Sequence, residues 1–163
     1  KRWPDLQPWW STAEPIDLPL AMAMLNAARA VIRNQVQLTQ RKAWSQYCRA
    51  VFEACVQTEL KPRVPLCSLM AEIYLRLQQY QAGIEFIQTY TLTNPNHLDE
   101  YLLGMVIKLL AGGGKFEMAK EAFTKWQGSR RTPASLHLLN AMLRAMAQAN
   151  GPVSEATTLY KRN

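Results

Sequence analysis

Apolar residues recur along this chain at intervals of three and four positions, the spacing that puts them on one face of an α-helix. The clearest run comprises Trp44, Tyr47, Cys48, Val51, Phe52, Cys55 and Val56. Similar stripes follow over residues 66–77, 98–110 and 136–146. Alternating apolar and polar residues bounded by hairpin turns, the signature of β-strands, do not occur. The pattern predicts an all-α chain of about eight helices arranged in pairs.

Proline, glycine and capping residues indicate where these helices begin and end. Asp17 is expected to cap the first helix, and the polar stretch from Asn34 to Gln40 to separate it from the second. Gly112-Gly113-Gly114 predicts a break between two later helices. Thr132-Pro133 predicts the start of another helix, with a threonine cap and a proline in the first turn.

Residues 1–16 differ in composition from the rest of the chain. They contain three prolines and three of the five tryptophans. Because proline at this density prevents a helix, we expect an extended N-terminal arm ahead of a helical domain over residues 17–163. Trp3, Trp9 and Trp10 are candidate anchors, since large apolar side chains usually bury against their own domain or a partner.

A small residue stands four positions before a bulky one in the second helix of each predicted pair. The four cases are Cys48 and Phe52, Gly83 and Ile87, Ala119 and Phe123, and Ala156 and Tyr160. The small positions are separated by 35, 36 and 37 residues. A small residue lets the second helix approach the first, and the bulky one fills the groove between pairs. This period predicts a right-handed α-solenoid of about four helix–turn–helix repeats.

Two stretches resemble known helical-hairpin repeats. Residues 64–97 resemble a tetratricopeptide unit, with Ala71, Tyr74, Gly83, Ile87 and Pro95 at that family's small, tyrosine, small, bulky and proline positions. Residues 139–160 are more similar to a pentatricopeptide unit, through Asn140, Ala141, Gly151, Glu155, Ala156 and Tyr160. The two families share one geometry, so either resemblance implies the same architecture.

The two families differ in function. Pentatricopeptide proteins typically bind RNA in mitochondria and plastids, whereas tetratricopeptide proteins bind peptides or hold complexes together. Basicity and the C-terminal match favour the first. The resemblance therefore implies a non-catalytic scaffold or RNA-associated subunit of an organellar ribonucleoprotein, such as a mitochondrial ribosome or an RNA-processing complex. It implies a location in the mitochondrial matrix or a plastid. The alternative is a protein–protein adaptor with no RNA role, for which the cytoplasm is the alternative location.

The resemblance also implies how RNA would be held. The base-contacting position of the pentatricopeptide family matches Leu69, Met105 and Ala141 here. Apolar side chains cannot supply the donor and acceptor pattern that distinguishes bases. We therefore expect binding by shape and phosphate contacts, with RNA backbone, protein subunits of a larger assembly, or both as partners.

The charge distribution supports an acidic partner. The chain has 19 Lys and Arg against 12 Asp and Glu, which gives a net charge of +7 and a pI near 9.5. Seven basic residues and only two acidic ones lie between Arg29 and Arg63. The candidates for RNA-backbone contacts are Arg29, Arg33, Arg41, Lys42, Arg49, Arg130 and Arg131.

Signals for catalysis are weak. His97 and His137 have no cysteine or carboxylate at metal-ligand spacing. Cys48, Cys55 and Cys67 form no CxxC pair, and Cys48 and Cys55 fit buried positions on one helix. Apolar runs are far shorter than the ~20 residues that span a bilayer. We expect no enzymatic activity, metal, cofactor, small-molecule substrate or membrane span. A helical module of a longer enzyme is the remaining alternative.

Overall fold

A computed structural model of the chain describes residues 15–35, 37–57, 64–92, 98–129 and 133–151, together with Ser154, Thr157 and Thr158. Within these residues the chain forms helices and no strands, which confirms the all-α prediction. The helices are α1 (Leu18–Gln35), α2 (Leu38–Val56), α3 (Val64–Leu77), α4 (Tyr80–Tyr90), α5 (Glu100–Gly112), α6 (Phe116–Gly128) and α7 (Leu136–Gln148). Residues 1–14 of the predicted arm, and nearly all of the predicted eighth helix, lie outside the described residues.

The chain divides into two compact units, an N-terminal unit (Lys1–Gln79) and a C-terminal unit (Tyr80–Asn163). In the N-terminal unit, α1, α2 and α3 each pack against the other two. In the C-terminal unit, α5 packs against α4, α6 and α7, and α6 also packs against α7. Within each unit, therefore, the first helices of successive predicted pairs lie against each other, α1 on α3 and α5 on α7.

The first pair of helices is the longest. α1 and α2 have 18 and 19 residues, whereas α3 to α7 have between 11 and 14. The break between them falls where the polar stretch predicts it, because α1 ends at Gln35 and α2 begins at Leu38. The predicted cap is also confirmed, since Asp17 Oδ1 accepts a hydrogen bond of 2.9 Å from the Leu20 amide. Of the helices described, none is long and apolar enough to cross a bilayer.

The predicted start of α7 is wrong by about one turn. The helix begins at Leu136, so Pro133 precedes it instead of standing in its first turn. Ser135 is the cap: its hydroxyl accepts a hydrogen bond of 3.3 Å from the Leu138 amide. Its own amide donates to Glu100 Oε1 at 2.6 Å. This contact comes from a residue 35 positions earlier, so the local sequence does not reveal it.

Each unit has an apolar core of its own. The largest fully buried side chains include Leu25, Phe52, Met70, Ile73 and Tyr74 in the N-terminal unit, and Phe86, Ile87, Leu102 and Leu103 in the C-terminal unit. The small and bulky positions of the predicted repeat are buried in α2, α4 and α6, whereas Ala156 and Tyr160 lie outside the described residues. Cys48 and Cys55 are buried, as expected, and Cys67 is buried as well; all three are free thiols, and burial raises the pKa of Cys48 to about 12.

The glycine run ends α5 as predicted. Gly112 is the last residue of the helix, and Gly114 has φ +71°, a left-handed conformation that favours glycine. A Cβ atom at Gly112 would overlap the ring of Tyr80 on α4. Gly112 therefore lets the Tyr80 ring pack against the end of α5.

Replacing Gly112 by alanine tests this contact. We expect Gly112→Ala to lower the free energy of unfolding by about 1–2 kcal/mol, because the ring of Tyr80 must move and lose packing. Gly128→Ala is the matched control: nothing lies within 4 Å of a Cβ there, and alanine is the better helix former. Urea unfolding followed by circular dichroism measures both. A loss of the same size in both variants would contradict the role of Tyr80.

Candidate functional site

Arg29, one of the predicted RNA-backbone residues, lies between α1 and α3. Its Nη1 donates to Glu72 Oε2 at 2.9 Å, and Arg76 Nη2 lies 2.6 Å from Glu72 Oε1. Burial disfavours the charged form of Glu72, but hydrogen bonds from Arg76 and Arg29 outweigh it and hold the pKa below its usual range. The side chains of Arg29 and Arg76 stay 40% and 35% exposed. One carboxylate is thus shared by two arginines and compensates one of their two charges.

Two further predicted residues, Arg41 and Arg49, also bind within the N-terminal unit. Arg49 Nε donates to Glu53 Oε1 at 2.7 Å, one turn further along α2. Burial raises the pKa of Tyr74, and the charge of the nearby Arg49 partly offsets this effect. Arg41 Nη1 donates to Gln78 Oε1, just after the end of α3. These side chains are therefore engaged by different partners.

Only one of the remaining predicted site residues has a side chain that the structure describes. Lys42 is exposed near the start of α2. Arg33 belongs to α1, but its side chain lies outside the described part of the chain. Arg130, Arg131 and the tryptophans Trp3, Trp9 and Trp10 lie outside it as well. Their predicted roles stay predictions.

A second polar surface, not singled out from the sequence, lies where α5 packs against α7. The helices come close at Gly104, since a Cβ atom built there would lie 3.9 Å from His137 Nε2. The contact between Glu100 and the Ser135 amide holds the first turns of the two helices together. The side chains that remain accessible along these helices include Tyr101, Lys108, His137, Asn140 and Arg144, which we call the α5–α7 surface.

This surface combines aromatic, amide and cationic groups. Tyr101 is 47% exposed, Lys108 is half-buried, and His137, Asn140 and Arg144 are exposed. Among the residues that the structure describes, neither Lys108 nor Arg144 has a carboxylate partner. Lys125 on α6 does have one, with its Nζ 2.6 Å from Glu121 Oε1. The cations of the α5–α7 surface are thus available to a ligand.

The residues implied as base-contacting by the pentatricopeptide resemblance do not lie on this surface. Leu69, Met105 and Ala141 are 5%, 7% and 3% exposed and belong to the core, which agrees with the expectation that they do not read bases. One position earlier, Ser68 and Gly104 are also buried, whereas Asn140 is exposed.

The sequence did contain a signal for the surface. Tyr101 and His137 are 36 residues apart, and so are Lys108 and Arg144. This is the spacing of the predicted repeat, so each pair occupies one register on neighbouring helices. The density of basic residues favoured residues 29–63 instead. Composition does not show which carboxylates contact those arginines in the folded chain, so their ion pairs could not be predicted.

A metal centre is not apparent in the residues that the structure describes. They contain no group of three or more His, Cys, Asp or Glu side chains arranged to hold an ion. His137 lies beside the Gly104 backbone, and His97 lies outside the described residues.

Comparison with protein-family models and with curated protein sequences gives no match to this chain. The likeness to helical-repeat families therefore depends on the chain's own repeat pattern.

Replacing Glu72 by glutamine tests its compensation of the two arginines. A carboxylate with a lowered pKa in the folded state stabilises the protein above its usual pKa, and this contribution is lost as the pH falls through the folded value. We expect Glu72→Gln to lower the free energy of unfolding by about 1 kcal/mol at pH 7. The difference from the unmodified chain should shrink below the usual carboxyl range, about pH 4.

The control for this experiment is Glu121→Gln, which removes an exposed partner of Lys125. Because both side chains of that pair are open to water, the change in stability should be close to zero. Urea unfolding at pH 7 and at pH 3 measures both variants. A Glu72→Gln effect that is equal at the two pH values would show that the charge of Glu72 is not what stabilises the contact.

Proposed function

We propose that this chain is a non-catalytic helical-repeat protein that binds single-stranded RNA through the α5–α7 surface. It acts as a subunit of an organellar ribonucleoprotein, such as a mitochondrial ribosome or an RNA-processing complex. The main support is that one accessible surface offers an aromatic ring, a side-chain amide and two cations, neither of which has a carboxylate partner among the described residues. The mitochondrial matrix or a plastid is proposed as the compartment, on the basis of the pentatricopeptide resemblance.

The chemistry of these side chains suits a single strand. Unpaired bases stack on aromatic rings, and Tyr101 and His137 offer two. The Asn140 amide has both a donor and an acceptor for a base edge. Lys108 and Arg144 can neutralise phosphates, and an arginine does so with a planar pair of donors. The proposal includes base contacts as well as phosphate contacts.

We also propose that the units belong to a right-handed solenoid of about four repeats. Two observations support this arrangement. The first helices of successive pairs pack against each other within each unit, α1 on α3 and α5 on α7. The small and bulky positions are buried in α2, α4 and α6. In such an array the first helices share one face, which gives an extended ligand a continuous surface.

Removing the two cations should weaken RNA binding. We expect the double substitution Lys108→Gln, Arg144→Gln to lower the affinity for single-stranded RNA about tenfold or more at physiological salt. The slope of log K against log salt should fall by roughly 0.7 for each phosphate that the variant no longer neutralises. Fluorescence anisotropy with a labelled single-stranded RNA, measured across a salt series, gives both values.

The matched control removes the same charge from the N-cap and the last turn of α6 in the same unit. Lys115→Gln with Lys125→Gln should leave the affinity within about twofold, since both exposed lysines lie outside the α5–α7 surface. If both double variants lost the same affinity, RNA binding would depend on the net charge of the chain and not on the α5–α7 surface. No binding to RNA even at low salt would favour the protein–protein adaptor, for which Leu136, 70% exposed at the start of α7, offers an apolar contact.

Replacing Tyr101 by alanine tests base stacking separately from charge. Stacking of a base on an aromatic side chain contributes ~1–3 kcal/mol, so Tyr101→Ala should weaken binding by about fivefold to a hundredfold. The salt slope should stay unchanged, because the same phosphates remain neutralised. Tyr101→Phe keeps the ring and should retain most of the affinity in the same assay. A phenylalanine variant as weak as the alanine variant would contradict stacking.

A further inference from the structure

α1 carries an apolar stripe on its open side. Its buried stripe is formed by Ala21, Leu25, Ala28 and Ile32. Next to it, Leu20 and Val31 are 41% and 36% exposed, with half-buried Met24 and exposed Ala27 between them. These four residues are spaced four, three and four positions apart, so they lie on one side of the helix. The only charged residues of α1, Arg29 and Arg33, are outside this stripe.

Small side chains accompany the larger ones of the stripe, since the alanines at positions 23, 27 and 30 are exposed. Exposed apolar side chains aligned on one helix are unfavourable in water, and covering them would be favourable. Because the stripe lacks charge, an apolar and uncharged segment would suit it.

Residues 1–14 of the same chain have this composition. Residues 6–13, Leu-Gln-Pro-Trp-Trp-Ser-Thr-Ala, contain no charge and include Trp9 and Trp10. They join the chain beside α1, where Ile16 is buried and its amide donates to the Ala54 carbonyl at 3.4 Å. From Ile16, Val31 lies about 22 Å along the helix axis, and the ten residues back to Leu6 reach about 33 Å when extended. The tether raises the effective concentration of the segment to the millimolar range.

We propose that residues 6–13 bind along the exposed stripe of α1, with the rings of Trp9 and Trp10 packed between Leu20 and Val31. The segment covers the open side of the first helix and completes the apolar surface at that end of the N-terminal unit. Pro4, Pro8 and Pro15 favour the extended backbone that such a strap requires. The proposal is independent of RNA binding.

Tryptophan fluorescence of the full chain tests the proposal. Trp44 and Trp126 are 8% and 4% exposed, so they provide a constant buried background. The double substitution Leu20→Gln, Val31→Gln changes only exposed positions of α1. We expect it to shift the emission maximum to longer wavelength and to raise the acrylamide quenching constant about twofold. In a Trp9→Phe, Trp10→Phe background the same substitution should change neither quantity.

Two controls fix the interpretation. Leu136→Gln changes an even more exposed leucine of α7 and should leave emission and quenching unchanged. Far-UV circular dichroism should be the same for all variants. An unchanged spectrum after the stripe substitution would overturn the proposal, and so would a shift that persists without Trp9 and Trp10. Light scattering that shows a dimer dissociated by the stripe substitution would overturn it in favour of a second copy of the chain.

Discussion

The packing of α5 against three other helices determines what the C-terminal unit can present to a ligand. From Leu102 to Ile107 every residue of α5 is buried, and Leu109 and Leu110 are buried as well. The Trp126 indole donates to the Leu98 carbonyl at 3.0 Å just ahead of α5, and Gly112 receives the Tyr80 ring at its end. Few side chains of α5 remain accessible to solvent. Tyr101 and Lys108 are therefore its contribution to the α5–α7 surface.

The two units use their positive charge differently. In the N-terminal unit, Glu72 binds both Arg29 and Arg76, and Glu53 binds Arg49. A phosphate at these arginines would compete with a carboxylate that is already in place, and its affinity would be reduced by that competition. In the C-terminal unit, Lys108 and Arg144 face no such competition from the described residues. The strongest cluster of basic residues in the sequence is therefore not the strongest candidate for RNA.

Local sequence signals predicted most helix boundaries. Features that depend on contacts between residues distant in the sequence could not be predicted. Asp17, the polar stretch before α2 and the glycine run each act within one turn, so their effects can be derived from the sequence. The start of α7 could not, because Ser135 competes with the Thr132-Pro133 signal and is held by distant Glu100. The pairing of Arg29 spans 43 positions, so composition suggested an open charge where the fold supplies a partner.

The small size of the α5–α7 surface bears on how such a protein would work. In the proposed function, two rings, one amide and two cations would contact only a few nucleotides, and each cation would contribute only a modest, salt-sensitive amount to affinity. Binding of one such surface would therefore be weak by itself. Held beside other RNA-binding surfaces in an assembly, the same contacts become effectively intramolecular, and their affinities combine. A surface of this size is better suited to a subunit of a larger ribonucleoprotein than to a protein that finds its RNA alone.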